Sequence, residues 1–210
     1  MATSANLPPR MRAKRDQIRT AAQALFLRDG FAGATMDAIA AAAGVSKQTL
    51  YHYYQSKEDL FVDILQQLTL ERTRGFVLDA VGETGLNSHE ELEAALTQLA
   101  QRMLLTLMQP TYIALIRVIV AETARFPHLA PLFRAAVPER GMAILMMLLE
   151  RARAQGLIAA HDPEVMARLF AGPLLTYVIT DGLGAPNTTP QLPPPERVAM
   201  LVRLFIRAIT

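Results

Sequence analysis

Residues 35–60, Thr35-Met-Asp-Ala-Ile-Ala-Ala-Ala-Ala-Gly-Val-Ser-Lys-Gln-Thr-Leu-Tyr-His-Tyr-Tyr-Gln-Ser-Lys-Glu-Asp-Leu60, decide how this chain folds. They read as a short helix, a tight turn, a second short helix, a break, and the start of a third. Thr35 is a good N-cap, and Asp37 follows where the helix dipole favours an anion. Ile39, Ala40 and Ala43 share one face, and the alanines offer only methyl groups there, so another helix can approach closely. Gly44 supplies the positive φ that a helix C-terminus calls for. Val45 and Leu50 plug the angle between the helices, and Ser46 caps the second. Two helices around a short turn containing glycine make a helix-turn-helix, whose second helix can enter a DNA major groove.

That second helix, Lys47 to Tyr54, carries Lys47, Gln48, Thr49, Tyr51 and His52, with Leu50 facing inward. So many donors on so short a segment suit phosphates and base edges. Ser56 caps the next helix, with Asp59 at the acidic position of a capping box. Lys57 lies in its first turn, where an amine and free backbone N–H groups can both meet a phosphate. Tyr54 is expected in the core, while Tyr53 can face either way.

Gly30-Phe31, Thr35-Met36, Ile39-Ala40, Ala43-Gly44-Val45-Ser46, Thr49-Leu50-Tyr51, Tyr53-Tyr54, Ser56-Lys57-Glu58 and Leu60 together resemble the N-terminal domain of the TetR family of bacterial repressors. One departure is Tyr54, where that family more often has Phe; the extra hydroxyl needs a partner or water. Phe126-Pro127 also resembles the ligand domain of an AefR-like branch. The resemblance implies DNA contacts at Lys47, Gln48, Thr49, Tyr51, Tyr53 and Lys57; Thr35 and His52 complete the candidate set.

Composition frames the rest of the chain. At 210 residues, 51% of them hydrophobic, it can bury a sizeable core in one domain or two. Alternating runs of β-branched residues are scarce, so helix is the expectation throughout. Residues 1–57 hold eight Lys/Arg against three Asp/Glu, whereas the remainder holds 13 against 16. Such asymmetry suggests a polyanion-binding end and a different task for the rest. With no cysteine, a disulfide scaffold and a thiolate metal site are excluded. Met1 to Pro9 lacks the apolar core of a signal peptide and is expected to be disordered. The longest uncharged run, Met103 to Ile116, has 14 residues, short of the ~20 that span a bilayer. A soluble, cytoplasmic protein without a membrane partner is expected.

A basic arm, Arg10 to Arg15, leads into a first helix with a stripe of Ile18, Ala21, Ala22, Leu25 and Phe26, ended by Asp29-Gly30. Leu60, Phe61, Ile64, Leu65 and Leu68 predict a long helix from 57 to about Val81, broken over Gly82 to Ser88. Further helices are expected from Ser88 to Met108, from Thr111 to Arg125 (apolar almost all round, hence central and buried), and from Gly141 to Ala154. Pro127 and Pro131 mark a corner. Asp162-Pro163 opens a helix that Pro173 should kink. An extended connector, Ala185 to Pro195, precedes a final helix from Glu196.

Catalysis has little to stand on. His52, His89, His128 and His161 are scattered, no pair has metal-ligand spacing, and neither a phosphate loop nor a nucleophile elbow is present. A binder rather than an enzyme is expected, with no cofactor and no metal. Leu65, Leu99, Met103, Ile116, Val120, Met142, Met146, Phe170 and Tyr177 are candidates to line an effector site, since methionine suits adaptable apolar pockets. Each also suits a plain core. Glu122 is either a pocket carboxylate or half of a surface pair with Arg125.

The expected protein is all-α: a three-helix DNA-binding domain over 10–56, then a larger helical ligand-binding and dimerisation domain over 57–210. Its expected function is that of a repressor. It would bind a near-palindromic operator on double-stranded DNA as a homodimer through helices 163–181 and 196–210, and a hydrophobic small molecule would release it. The competing readings are a helical carrier or enzyme for a hydrophobic small molecule, and a regulator controlled by a protein partner.

Overall fold

The structure, a computed structural model, describes residues 8–68, 86–136, 138–185 and 189–210. Among these every regular element is helical. In order they are α1 (Pro9–Gly33), α2 (Met36–Ala42), α3 (Lys47–Tyr53), α4 (57–68), α5 (His89–Leu107), α6 (Pro110–Glu122), α7 (Leu129–Ala136), α8 (Pro138–Ala154), α9 (Pro163–Tyr177) and α10 (Pro195–Ile209). A π-helical turn, Val178–Leu183, continues α9. The all-α class is as the sequence predicts. The expected course of α4 beyond 68 and most of the break after it lie outside the described residues.

The chain divides into two compact units. One takes the described residues up to Gln67 together with Ala114–Ala136; the other takes those of Leu68–Ile113 and Val137–Thr210. In the first unit Ile18, Phe26, Phe31, Ile39, Leu50, Leu60, Phe61 and Ile64 are fully buried. Burying each such side chain stabilises by about 1.5–3 kcal/mol. Phe26, Phe31 and Phe61 meet with ring centroids 4.9–5.7 Å apart, and Phe126 joins Phe31 edge-on at 5.8 Å. In the second unit α5, α8, α9 and α10 close round Leu92, Leu96, Leu99, Leu145, Leu149, Phe170, Leu174, Val202 and Phe205.

The first helix breaks at Gly30, as the sequence predicts: the backbone leaves helical geometry there (φ 72°, ψ 175°), and one further short turn carries α1 to Gly33. Two expectations are corrected. First, Leu129–Ala136 forms a helix where the prolines suggested only a corner. Pro131 sits in its first turn, where a missing N–H costs nothing. Second, α6 is one-sided rather than buried all round. Tyr112, Ile113, Leu115, Ile116 and Ile119 are buried, but Val120 is 64% exposed. Pro173 lies inside α9 as the sequence shows, and the wide π turn begins five residues later.

Candidate nucleic-acid interface

The reading unit is assembled by short-range hydrogen bonds that its sequence specifies. Thr35 Oγ1 accepts from the Ala38 N–H at 3.1 Å, and Ser46 Oγ accepts from Thr49 N–H at 3.0 Å. Between them Gly44, at φ 58°, lets Val45 N–H reach back to the Ala40 carbonyl at 3.0 Å while its own N–H bonds to Ala41. That closes the C-terminus of α2 in a Schellman-type turn. Leu50 is fully buried, which fixes the roll of α3. Gln17, on α1, donates to the Ala43 carbonyl at 2.6 Å and ties the turn to the first helix.

With Leu50 pointing inward, Lys47, Gln48, Tyr51 and His52 stand exposed, and Thr49 and Tyr53 are half-buried. Tyr51 keeps 49% of its surface open. Thr49 Oγ1 shares a hydrogen bond with Ser46 Oγ at 2.8 Å. His52 meets Tyr53 edge-on, with ring centroids 5.5 Å apart. Lys47 is paired with Asp37 at 2.5 Å on the open surface. Thr35 is exposed beside the start of α2.

Lys57 is placed differently from the rest of the set. Its Nζ donates to the Phe31 carbonyl at 2.6 Å and to the Ala34 carbonyl at 2.9 Å, and it lies 4.4 Å from the centroid of the Phe31 ring. Burial lowers its pKa, against the pull of Glu58 and Glu122. An ammonium has three N–H groups, so one remains for an outside acceptor.

Behind α3 lies a cluster that the sequence did not announce. Tyr54 is buried and donates to Asp63 Oδ2 at 2.5 Å; Arg15 and Arg19, both on α1, reach the same oxygen at 3.1 and 3.3 Å. The extra hydroxyl of Tyr54 therefore has its partner. Burial and then the bond to Asp63 push this phenol well above its ordinary range, so it stays a neutral donor. A basic residue four positions apart on α1 was the only sequence signal for these two arginines.

The candidate effector residues fall into both units. Leu99, Met103, Met142, Met146, Phe170 and Tyr177 meet in or against the core of the second. Leu65, Ile116, Val120 and Glu122 belong to the first. Of these, Leu65 is buried and Val120 is exposed, while Glu122 Oε1 accepts from the Ala32 N–H at 3.2 Å. No cluster of metal-ligating side chains occurs among the described residues.

A capped two-helix reader with a polar outer face, followed among the described residues by further helices, defines the class of helix-turn-helix DNA-binding proteins. Residues 18–64 match the family described as bacterial regulatory proteins, tetR family, and residues 94–208 match the AefR-like transcriptional repressor, C-terminal domain. The chain belongs to the TetR family of transcriptional regulators, and regulators rather than enzymes make up its relatives. The chain is 29% identical to the HTH-type transcriptional regulator YvaF of Bacillus subtilis (strain 168), over 66% of this chain and 67% of that one. To the HTH-type transcriptional repressor SCO4008 of Streptomyces coelicolor it is 44% identical, but over only 28% of this chain and 31% of that protein. Among solved structures, the flavonoid-responsive regulator FrrA matches with a TM-score of 0.70 at 32% identity, covering 93% of this chain and 96% of its own.

Proposed function

We propose that this regulator is a repressor that binds a near-palindromic operator as a homodimer, reads it with α3, and releases it when a hydrophobic small molecule binds the second unit. The observation that carries the DNA contact is the exposed row Lys47, Gln48, Tyr51 and His52 over a fully buried Leu50. The test is enrichment of duplexes from a random-sequence pool by the wild-type protein, followed by binding curves for Tyr51→Ala. The variant is expected to keep its helical spectrum, because the ring is half outside the fold, and to lose about tenfold or more in affinity for the enriched duplex. Equal affinities would remove Tyr51 from the interface. Thr35, Gln48, Thr49 and His52 are assigned to the same surface, and Lys57 to a single phosphate through its remaining N–H.

The effector assignment rests on the methionines and aromatics that meet in the second unit. Met103, Met142, Met146 and Tyr177 are only partly buried against that core, and thioether chains repack round a guest more readily than branched ones do. FrrA is a flavonoid-responsive regulator, which favours a lipophilic aromatic compound here too. At a hundredfold excess over its dissociation constant such a compound stabilises the folded state by about 2.7 kcal/mol. That corresponds to a melting temperature raised by roughly 5–10 °C. Met146→Trp should block the shift while sparing DNA binding. A broad set of polyphenols and acyl compounds in which none moves the melting curve would sink this assignment.

A further inference from the structure

Between Gly30, where the backbone of α1 leaves helical geometry, and the start of α2, three backbone polar groups are met by two side chains from elsewhere in the first unit. Lys57 takes the carbonyls of Phe31 and Ala34. Glu122, the last residue of α6, takes the N–H of Ala32. Ala34 is the residue before Thr35, which caps α2, so whatever holds this link also sets where α2 begins. Two further contacts bring the same segment to the reading unit: Phe126 packs edge-on against Phe31, and His128 Nε2 lies 3.3 Å from Glu58 on α4. Gly30 adds a geometric requirement. It sits at φ 72°, and a Cβ there would stand 3.5 Å from Glu122 Oε1. The carboxylate thus approaches the link at the point where the backbone leaves helical geometry.

From this juxtaposition we infer that Glu122 is a positioning residue for DNA reading: it fixes the Gly30–Ala34 link, and so the placement of α2 and of the α3 packed on it, according to where the end of α6 lies. The inference rests on the DNA-reading function proposed above. Its chemistry is simple. The Ala32 N–H needs an acceptor, and a carboxylate or a carboxamide supplies one, whereas a methyl group does not. A shift of the α6 end by about the length of a hydrogen bond would therefore free Ala32 and loosen the N-terminus of α2, with no rearrangement inside the helix-turn-helix itself. Coupling of this kind between two elements commonly changes affinity by about 5- to 150-fold.

The test uses the full chain and the duplex enriched by the wild type, with Glu122→Ala and Glu122→Gln compared by binding curves and by amide hydrogen exchange at Ala32. Exchange at Ala32 is expected to speed up in the Ala variant and stay near wild type in the Gln variant. Affinity for the duplex is expected to fall about tenfold for Ala and to be largely restored by Gln. Unaltered exchange at Ala32 in the Ala variant overturns the inference without reference to DNA. So does faster exchange with unchanged affinity, equal loss in both variants, or global unfolding of the Ala variant, since positioning by an acceptor requires that Gln preserve it. Failure of the wild type to enrich any duplex would instead remove the DNA-reading function, and the positioning role would fall with it.

Discussion

Leu169→Asp combined with Leu204→Asp is expected to give a folded monomer with at least a hundredfold weaker hold on its enriched duplex. Single exposed apolar residues are unremarkable. Here α9 exposes Val165, Leu169, Leu175 and, in its π extension, Ile179, while α10, packed against it, exposes Met200 and Leu204. So many on two neighbouring helices mark a surface that something covers, and a second copy of the chain is the occupant we propose. Leu204 is 55% exposed, so a carboxylate there meets solvent in the monomer and an apolar wall only in the dimer. Linking two reading units on one operator raises avidity by about 10²–10⁴, and that gain disappears with the dimer. Light scattering at micromolar concentration checks the mass, and binding curves check the rest. A wild-type protein that is already monomeric would defeat the proposal. Ile206 is the wrong place for such a test despite its position in the same helical repeat. It is 9% exposed and lies inside the core, so a charge there would unfold the unit.

Asp63→Ala is expected to be strongly destabilising to the reading unit. The carboxylate is nearly buried and answers three groups at once: the Tyr54 hydroxyl, Arg15 and Arg19. Arg19 retains Asp16 and Arg15 retains the Tyr54 oxygen at 3.4 Å, but the Tyr54 hydroxyl loses its acceptor and both guanidinium groups lose a shared counterion in a half-dry space. Removing one partner of a buried charged set costs about 3 kcal/mol or more, which corresponds to a melting temperature lowered by roughly 6–12 °C. Tyr54→Phe leaves the two arginines on Asp63 and should cost only about 1 kcal/mol. Thermal unfolding by circular dichroism orders the pair. If both variants melted within a degree of wild type, the cluster would contribute nothing to the fold.

What could be read in advance was whatever closes over three or four residues. The Thr35, Ser46, Ser56, Ser88 and Asp162 caps each bond an N–H two or three positions ahead, and sequence alone specifies such pairs. Gly44 and the inward Leu50 are equally local. Asp63 was not legible, because a carboxylate in the stripe Leu60, Phe61, Ile64 and Leu65 looks like any solvated residue between core positions. Only tertiary packing brings Arg15 and Arg19 over it. Beside the phosphate contact expected of Lys57 and the pocket or surface role expected of Glu122, their backbone partners were not legible: these lie 23 to 90 residues away, and no periodicity encodes that. Leu129–Ala136 was hidden by Pro131 within it and Pro127 just before it. For the effector residues the difficulty is different: Leu, Met and Phe on helical spacing look the same whether they fill a core or line a cavity.

The Lys47–Asp37 pair bears on how this surface would respond to ionic strength. A lysine that neutralises a phosphate ordinarily frees a condensed cation from the nucleic acid, and the entropy of that release makes binding fall steeply with salt. On the function proposed above, Lys47 would reach a phosphate already carrying an anion of its own, held at 2.5 Å by a side chain ten residues away. Asp37 is in effect a tethered counterion. When Lys47 turns to a phosphate, Asp37 is left to recruit a cation from solution, which offsets the one that the DNA gives up. The logarithmic salt dependence should then count about one ion fewer than the number of cationic contacts. The complex would be correspondingly less sensitive to ionic strength than its basic reading end suggests.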